Sequence, residues 1–160
     1  MQQRLSADID GTHVSEADIV VEAIVERLDA KQALFRTMEP RLKPGAILAT
    51  NTSSIVLESM GAVLERPERL VGLHFFNPVA RLPLVEVVRG TATSDATMQR
   101  ALAFVIQIAK LPLPCRSAPG FLVNRILMPY MLEALRANED GHSPETIDAA
   151  AMNFGMPLGP

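Results

Sequence analysis

Short apolar runs alternate with helix-like segments through most of this chain, and that alternation limits the fold more than any single motif. Four runs rich in β-branched and other apolar residues occupy residues 18–24, 46–50, 70–73 and 84–88. Apolar residues at helical spacing fill the segments between and after them, at 28–42, 57–64 and 98–109. Strands that alternate with helices predict an α/β fold with a mostly parallel sheet. A fifth run, 111–115, contains Pro112 and Pro114 and therefore fits only a sheet edge.

The alternation ends at Pro119 and Gly120. Apolar spacing then predicts one long helix over residues 121–138. Ser143 followed by Pro144 is typical of a helix start, because serine caps the first turn and proline suits its first position. We therefore expect a boundary near residue 118, with helices alone in the part that follows.

Composition and charge exclude several classes of protein. Hydrophobic residues make up 48% of the chain, which is too apolar for disorder. A net charge of −3 provides no basic surface for nucleic acid or an anionic membrane. The longest apolar stretches reach about six residues, far fewer than a membrane span needs. Cys115 is the single cysteine, which fits a reducing, cytoplasmic compartment, and its position after Pro114 favours a small core residue over a nucleophile.

Polar side chains follow the first three predicted strands. Glu26 comes after the first strand, residues 51–53 come after the second, and residues 74–77 end the third. The carboxyl ends of consecutive parallel strands meet at one edge of a sheet, where ligands of α/β proteins bind. We therefore expect these three groups to form one site.

A histidine and a carboxylate within this pattern indicate acid–base chemistry. His74 ends an apolar run, and Glu86 interrupts the apolar run 84–88. A buried carboxylate needs a partner, and a histidine held by one is a general base with its orienting group. The alternatives are that Glu86 lies on an exposed strand face and that His74 is an ordinary core or surface histidine.

Other polar residues of this pattern have both functional and structural interpretations. Ser53 can bond a substrate oxygen, or it and Asn51 can cap the following helix. Asn124 lies near the start of an otherwise apolar helix, where a buried side-chain amide needs hydrogen-bond partners. Those partners can be a substrate oxygen or backbone groups. No metal-binding motif and no Gly-x-Gly phosphate-binding turn occur in the sequence, so we expect no metal site.

Five segments together resemble a known family: VEAIVE at 21–26, NTSS at 51–54, GLHFFNP at 72–78, LVEVV at 84–88 and PGFLVNR at 119–125. In order and spacing they resemble the (3S)-3-hydroxyacyl-CoA dehydrogenases of fatty acid β-oxidation, over residues 18–160. Residues 81–86 resemble the multifunctional α-subunit of the fatty acid oxidation complex more than the single-function members. The resemblance implies a Rossmann-like domain, an acyl-CoA thioester substrate and NAD as cofactor.

The resemblance also implies roles for individual residues. His74 takes the proton of the 3-hydroxyl group while hydride passes to NAD, and Glu86 orients His74. Ser53 and Asn124 hydrogen-bond the substrate oxygen. The positions that contact the nicotinamide-ribose half of NAD are Ala23, Glu26, Lys31, Asn51, Ser53 and Asn77.

The chain departs from the family at both ends. The glycine-rich turn that binds the pyrophosphate is absent, so residues 1–118 are expected to be the second half of an NAD-binding Rossmann-like domain. Residues 119–160 are expected to be the start of the all-helical C-terminal domain. An incomplete sheet exposes an edge strand, which predicts a homo-oligomer or a domain-exchanged dimer. A thiolase subunit is a further expected partner of the intact complex.

Two other functions remain open at this stage. The chain can be a folded, self-associating fragment that is catalytically incompetent because it cannot anchor the pyrophosphate. It can also be a 3-hydroxybutyryl-CoA dehydrogenase, or a related dehydrogenase of small β-hydroxyacids, although residues 51–54 followed by the HFFNP segment argue against the last of these.

Overall fold

The computed structural model describes residues 5–160 and divides the chain into two compact units, one ending at Phe121 and one covering Leu122–Pro160. The elements of the first unit are β1 (Ile19–Glu22), α1 (Leu28–Met38), β2 (Ile47–Thr50), α2 (Leu57–Gly61), β3 (Leu70–Phe75), β4 (Leu84–Arg89), α3 (Asp95–Gln107) and β5 (Leu111–Arg116). The second unit contains α4 (Val123–Glu139) and α5 (Pro144–Phe154). Short 3-10 turns cover Thr12–Glu16, Glu39–Arg41 and Pro67–Arg69.

The sheet has five strands in the order β1-β2-β3-β4-β5. Strands β1, β2 and β3 are parallel, β4 is antiparallel to β3, and β5 is again parallel to β4. The reversal follows from the connection between β3 and β4, because residues 76–83 are too few for the helical crossover that parallel strands require. The mostly parallel α/β fold predicted from the sequence is thereby confirmed.

Each face of the sheet carries its own helices. Helix α3 covers one face, and α1 and α2 cover the other. Because successive strand residues point to opposite faces, each strand contributes side chains to both cores. The core under α3 consists of Ile47, Ala49, Val71, Leu73, Val85, Val87, Met98, Ala101 and Val105. The core under α1 and α2 consists of Phe35, Leu48, Leu57, Met60, Leu70, Val88 and Phe121.

Several element boundaries differ from the sequence prediction, and for two of them the structure shows the cause. Strand β1 ends at Glu22 rather than at residue 24, because the Ile24 amide donates to the Glu22 side chain (2.6 Å) and leaves the strand ladder. Helix α4 begins at Val123 rather than at residue 121, because Gly120 and Phe121 have the left-handed φ values of 72° and 47°. Apolar spacing reveals neither the hydrogen bond between Ile24 and Glu22 nor the left-handed conformation of Gly120 and Phe121.

The predicted helix start in the second unit is confirmed. The Ser143 hydroxyl accepts from the Thr146 amide at 3.3 Å, and Pro144 opens α5. Among residues 5–160 there is no helix with both the length and the apolar character to cross a bilayer. The predicted edge strand β5 also occurs at the end of the sheet order.

Gly72 allows β3 and β4 to approach closely beside the candidate base. It pairs with Val88 across the two strands, two residues before His74 on the same face. A Cβ at position 72 would lie 2.6 Å from the Val88 Cβ and 3.0 Å from its Cγ2. Real Cβ atoms do not approach so closely, so any larger residue must push the two strands apart.

We predict that Gly72→Ala lowers the free energy of unfolding by about 1–3 kcal/mol, as overpacking of a dense core does. In a Val88→Gly background the same change should cost at least about 1 kcal/mol less, because both the Val88 Cβ and the Cγ2 that the new Cβ would meet are gone. Denaturant unfolding of the four proteins in this double-mutant cycle measures the difference. Equal costs in both backgrounds would contradict the steric explanation.

Candidate active site

His74 and Glu86 form a buried pair across β3 and β4. They are direct register partners of the antiparallel ladder, so their side chains leave the same face of the sheet. The His74 Nδ1 lies 2.7 Å from the Glu86 Oε2. The exposed fraction is 7% for His74 and 0% for Glu86, which excludes the exposed-face alternative for Glu86.

The pair fixes the chemistry available to the imidazole ring. A buried carboxylate accepts hydrogen bonds, so Nδ1 is the nitrogen that donates. With the proton of a neutral ring on Nδ1, Nε2 is left as the nitrogen that can accept a proton from a ligand. The arrangement is that of a general base and its orienting carboxylate.

Two aromatic rings lie against the His74 ring. The Phe76 ring centroid is 4.6 Å from that of His74, and the Phe121 centroid is 5.7 Å away in an edge arrangement. Phe121 is itself buried. The imidazole is therefore held both by its hydrogen bond and by aromatic packing.

Asn51 connects the end of β2 to the end of β3. Its side-chain Oδ1 accepts from the Phe75 amide at 2.9 Å, and its own amide donates to the Glu22 carbonyl at 2.8 Å. Three neighbouring strand ends are thus tied together one residue from His74. The expected convergence of the polar groups after β1, β2 and β3 occurs at this edge of the sheet.

Glu26 holds the loop that carries Ser53. Its Oε1 accepts from the Thr52 hydroxyl and from the Ser53 and Ser54 amides, the latter two at 3.0 and 3.2 Å. Lys31 lies 3.2 Å from its other oxygen. Although burial opposes ionisation, the hydrogen bonds from Thr52 and Lys31 lower the pKa of Glu26 to about 2. Glu26 is therefore a carboxylate at any physiological pH.

A buried ion pair lies beneath this loop. The Lys31 Nζ is 2.7 and 2.9 Å from the two Glu22 oxygens, and both side chains are 1% exposed. The Thr50 hydroxyl also donates to Glu22, at 2.7 Å. The sequence reasoning did not assign Glu22 or Thr50 a role. The feature that could have indicated this pair is a charged residue, Glu22, at the end of β1 and a hydroxyl residue, Thr50, at the end of β2. The two are register partners, and both are buried.

Neither Asn51 nor Ser53 caps the following helix. Helix α2 begins at Leu57, and its N-cap residue, Val56, makes no side-chain capping bond. The backbone amide of Leu57 donates instead to the Ser117 hydroxyl at 2.9 Å. The capping alternative for these two residues is therefore wrong. Ser53 is half-buried beside Glu26, where its amide is bound.

The remaining predicted site residues occupy different places. Ala23 follows β1 and is exposed, and Asn77 is exposed in the connection between β3 and β4. Asn124 is half-buried in the first turn of α4, in the second unit. Its contact with substrate stays a prediction, as do the cofactor contacts of Ala23 and Asn77.

The Cys115 thiol lacks the environment of a nucleophile. Burial, together with the negative charge of Glu86, raises the pKa of the Cys115 thiol to about 11. The thiol is therefore protonated at neutral pH and a poor nucleophile. In the part of the chain that the structure describes, no group of three His, Cys, Asp or Glu residues is arranged to hold a metal ion.

Comparison with protein families gives two matches that together cover almost the whole chain. Residues 1–118 match the family described as 3-hydroxyacyl-CoA dehydrogenase, NAD binding domain. Residues 120–160 match 3-hydroxyacyl-CoA dehydrogenase, C-terminal domain. The first match identifies NAD as the cofactor of this domain, as the sequence resemblance implied.

Individual relatives agree with the family matches. A probable 3-hydroxyacyl-CoA dehydrogenase of Caenorhabditis elegans is 48% identical over 149 residues, covering 92% of this chain and 48% of that protein. The fatty acid oxidation complex subunit alpha of Vibrio campbellii is 43% identical over 157 residues, covering 98% of this chain and 22% of that protein. The chain thus spans about half or less of the length of these curated relatives.

Solved structures share the fold. The (S)-3-hydroxybutyryl-CoA dehydrogenase PaaH1 of Ralstonia eutropha superposes with a TM-score of 0.92 at 37% identity. The match covers 99% of this chain and 56% of that one.

We predict that Lys31→Met lowers the free energy of unfolding by about 3–5 kcal/mol, because it leaves the buried Glu22 carboxylate without its counter-charge. Lys43→Met is the matched control, since Lys43 pairs with Asp18 at 2.7 Å where both side chains are at least one-third exposed. That control should cost about 1 kcal/mol or less. Denaturant unfolding measures both, and similar costs would contradict the proposed importance of the buried pair.

Proposed function

The chain belongs to the 3-hydroxyacyl-CoA dehydrogenase family, and on that premise we propose that the protein oxidises (3S)-3-hydroxyacyl-CoA thioesters to 3-ketoacyl-CoA with NAD. The observation that carries this proposal is the buried hydrogen bond between His74 and Glu86, at 2.7 Å. It directs Nδ1 to the Glu86 carboxylate and leaves Nε2 as the ring nitrogen that can accept a proton, as an alcohol oxidation requires.

In the proposed mechanism, His74 is the general base. Its Nε2 accepts the proton of the 3-hydroxyl group, and the positive charge that develops on the ring is stabilised by the Glu86 carboxylate. Glu86 does not take the proton itself; it orients the ring and compensates its charge. The Ser53 hydroxyl and the Asn124 amide hydrogen-bond the substrate oxygen and hold it near Nε2.

NAD, when bound, supplies the acceptor for the hydride that leaves C3 of the substrate. The polar groups at the sheet edge fit its nicotinamide-ribose half, because carboxylate, amide and hydroxyl groups match ribose hydroxyls and a carboxamide. We propose that this half is held by Ala23, Glu26, Lys31, Asn51, Ser53 and Asn77. Lys31 is only 1% exposed, so its contribution passes through Glu26, which it contacts at 3.2 Å.

A dehydrogenase of shorter substrates is the second candidate. The similarity to the Ralstonia eutropha (S)-3-hydroxybutyryl-CoA dehydrogenase, at 37% identity over 99% of this chain, supports it. The catalytic residues proposed here serve either substrate length. The 43% identity to a fatty acid oxidation complex subunit alpha supports an activity in fatty acid oxidation.

Partners and cellular location are also proposals. The Vibrio campbellii relative is named as the subunit of a complex, which supports assembly with other subunits, such as a thiolase. Strand β1 ends the sheet order, and Val21 on it is 40% exposed, which supports pairing with a second copy as an oligomer or domain-exchanged dimer. The single cysteine supports a cytoplasmic location.

We predict that His74→Ala lowers kcat for acetoacetyl-CoA-dependent NADH oxidation by at least about a hundredfold, the usual contribution of a positioned acid–base group. The assay uses the longest natural gene product that contains these residues, alongside the 160-residue chain. His13→Ala is the control, because the His13 side chain is exposed, lies 3.7 Å from Glu16 and is outside the site.

Two outcomes of this assay contradict specific statements. Unchanged kcat in His74→Ala would refute the assignment of the base. Turnover by the 160-residue chain at the rate of the longer product would exclude the alternative of a catalytically incompetent fragment. Repeating the assay with a long-chain 3-ketoacyl-CoA separates the two substrate classes by their kcat/KM values.

A further inference from the structure

Phe121 adopts a backbone conformation that bulky residues rarely take. Its φ is 47°, directly after Gly120 with φ 72°. Glycine tolerates the left-handed region, but for a large side chain it is a steric outlier. Such strain persists only where the surroundings over-determine it, and it is concentrated at functional sites. The contacts of Phe121 therefore need an explanation beyond chain connectivity.

The segment that leads to Phe121 is anchored at several points. The Ser117 amide donates to the Arg89 carbonyl at 2.8 Å, which continues the ladder of β4 and β5 by one bond. The Ser117 hydroxyl donates to the Glu58 Oε2 at 2.7 Å and accepts from the Leu57 amide. The Phe121 amide then closes a turn onto the Ala118 carbonyl at 2.9 Å. These bonds fix where the residue at position 121 places its side chain.

With this backbone conformation, the aromatic ring of Phe121 lies against His74. The ring of Phe121 is buried in the core under α1 and α2, and its centroid lies 5.7 Å from that of His74 with an interplanar angle of 62°. Phe76 makes the second aromatic contact, at 4.6 Å. Rotation of the imidazole about its Cβ–Cγ bond would bring it against these rings, so only a narrow range of ring planes keeps Nδ1 on Glu86.

We propose that Phe121 is a positioning residue for the general base: its ring fixes the plane of the His74 imidazole. Nδ1 then stays on Glu86, and Nε2 keeps one direction toward the substrate. The inference rests on the proposed function for its catalytic consequence, but the ring contact and the hydrogen bond can be tested without it. Phe121 acts only through His74 and touches no reacting atom in this account.

A purely structural role for Phe121 predicts a different result. Phe35 provides the comparison, because it is an equally buried phenylalanine of the same core cluster and has no ring contact with His74 among the described residues. Phe121→Leu and Phe35→Leu remove similar apolar surface. If filling the core were the only role, both changes would affect stability and leave catalysis alone.

The test compares Phe121→Leu with Phe35→Leu in the longest natural gene product that contains these residues. We expect kcat to fall about tenfold to a hundredfold in Phe121→Leu with KM values for both substrates within about twofold, because loose orientation affects the chemical step. Phe35→Leu should retain kcat. Phe121→Met, whose unbranched and flexible side chain adapts to the space left by the ring, serves if the leucine variant does not fold.

Proton NMR of the His74 Nδ1–H gives the independent measurement. We expect a protected, slowly exchanging proton in the wild type and in Phe35→Leu, and faster exchange in the position-121 variants. Equal kcat and equal exchange in both leucine variants would overturn the positioning role. An inactive wild type whose Nδ1 proton still depends on Phe121 would refute the proposed function and support the ring's role.

Discussion

The hydrogen bond between His74 and Glu86 is the interaction on which the first unit depends most. Both groups are buried, and an unpaired carboxylate there would cost several kcal/mol. The pair exists because β4 runs antiparallel to β3 and sets the two residues opposite each other. The short connection between these strands therefore has a functional consequence, and Gly72 keeps the same two strands close.

A second buried charge pair supports the other side of the site. Lys31 on α1 binds Glu22 at the end of β1 and also contacts Glu26. Glu26 in turn binds the amides of Ser53 and Ser54. One ammonium group thus links a helix, a strand end and the loop that carries a proposed substrate-binding hydroxyl. These hydrogen bonds and ion pairs restrain the conformation of the loop.

The sequence predicted the parts of the site that depend on local pattern. The ends of consecutive parallel strands follow from apolar periodicity, so the convergence near Asn51 and His74 was foreseeable. The burial of Glu86 was foreseeable only as one of two alternatives, because a lone charge in an apolar run fits an exposed face as well. The cross-strand register that decides between them is a long-range property.

The features that the sequence did not predict arise from tertiary contacts. The Glu22–Lys31 pair joins a strand to a helix, and no spacing rule marks it. The left-handed conformation of Phe121 runs against its residue type, and the apolar pattern therefore predicted helix there. Local rules fail where tertiary contacts impose a strained conformation, and here that place lies against His74, the proposed general base.

The protonation pattern of the His74 ring tests the central claim most directly. Nitrogen-15 NMR of the chain at neutral pH distinguishes a proton on Nδ1 from one on Nε2, and Glu86→Gln provides the comparison. The account predicts a ring protonated on Nδ1 with Nε2 bare, and loss of that preference in Glu86→Gln. A neutral ring protonated on Nε2 in the wild type would contradict the assignment of His74 as the base that Glu86 orients.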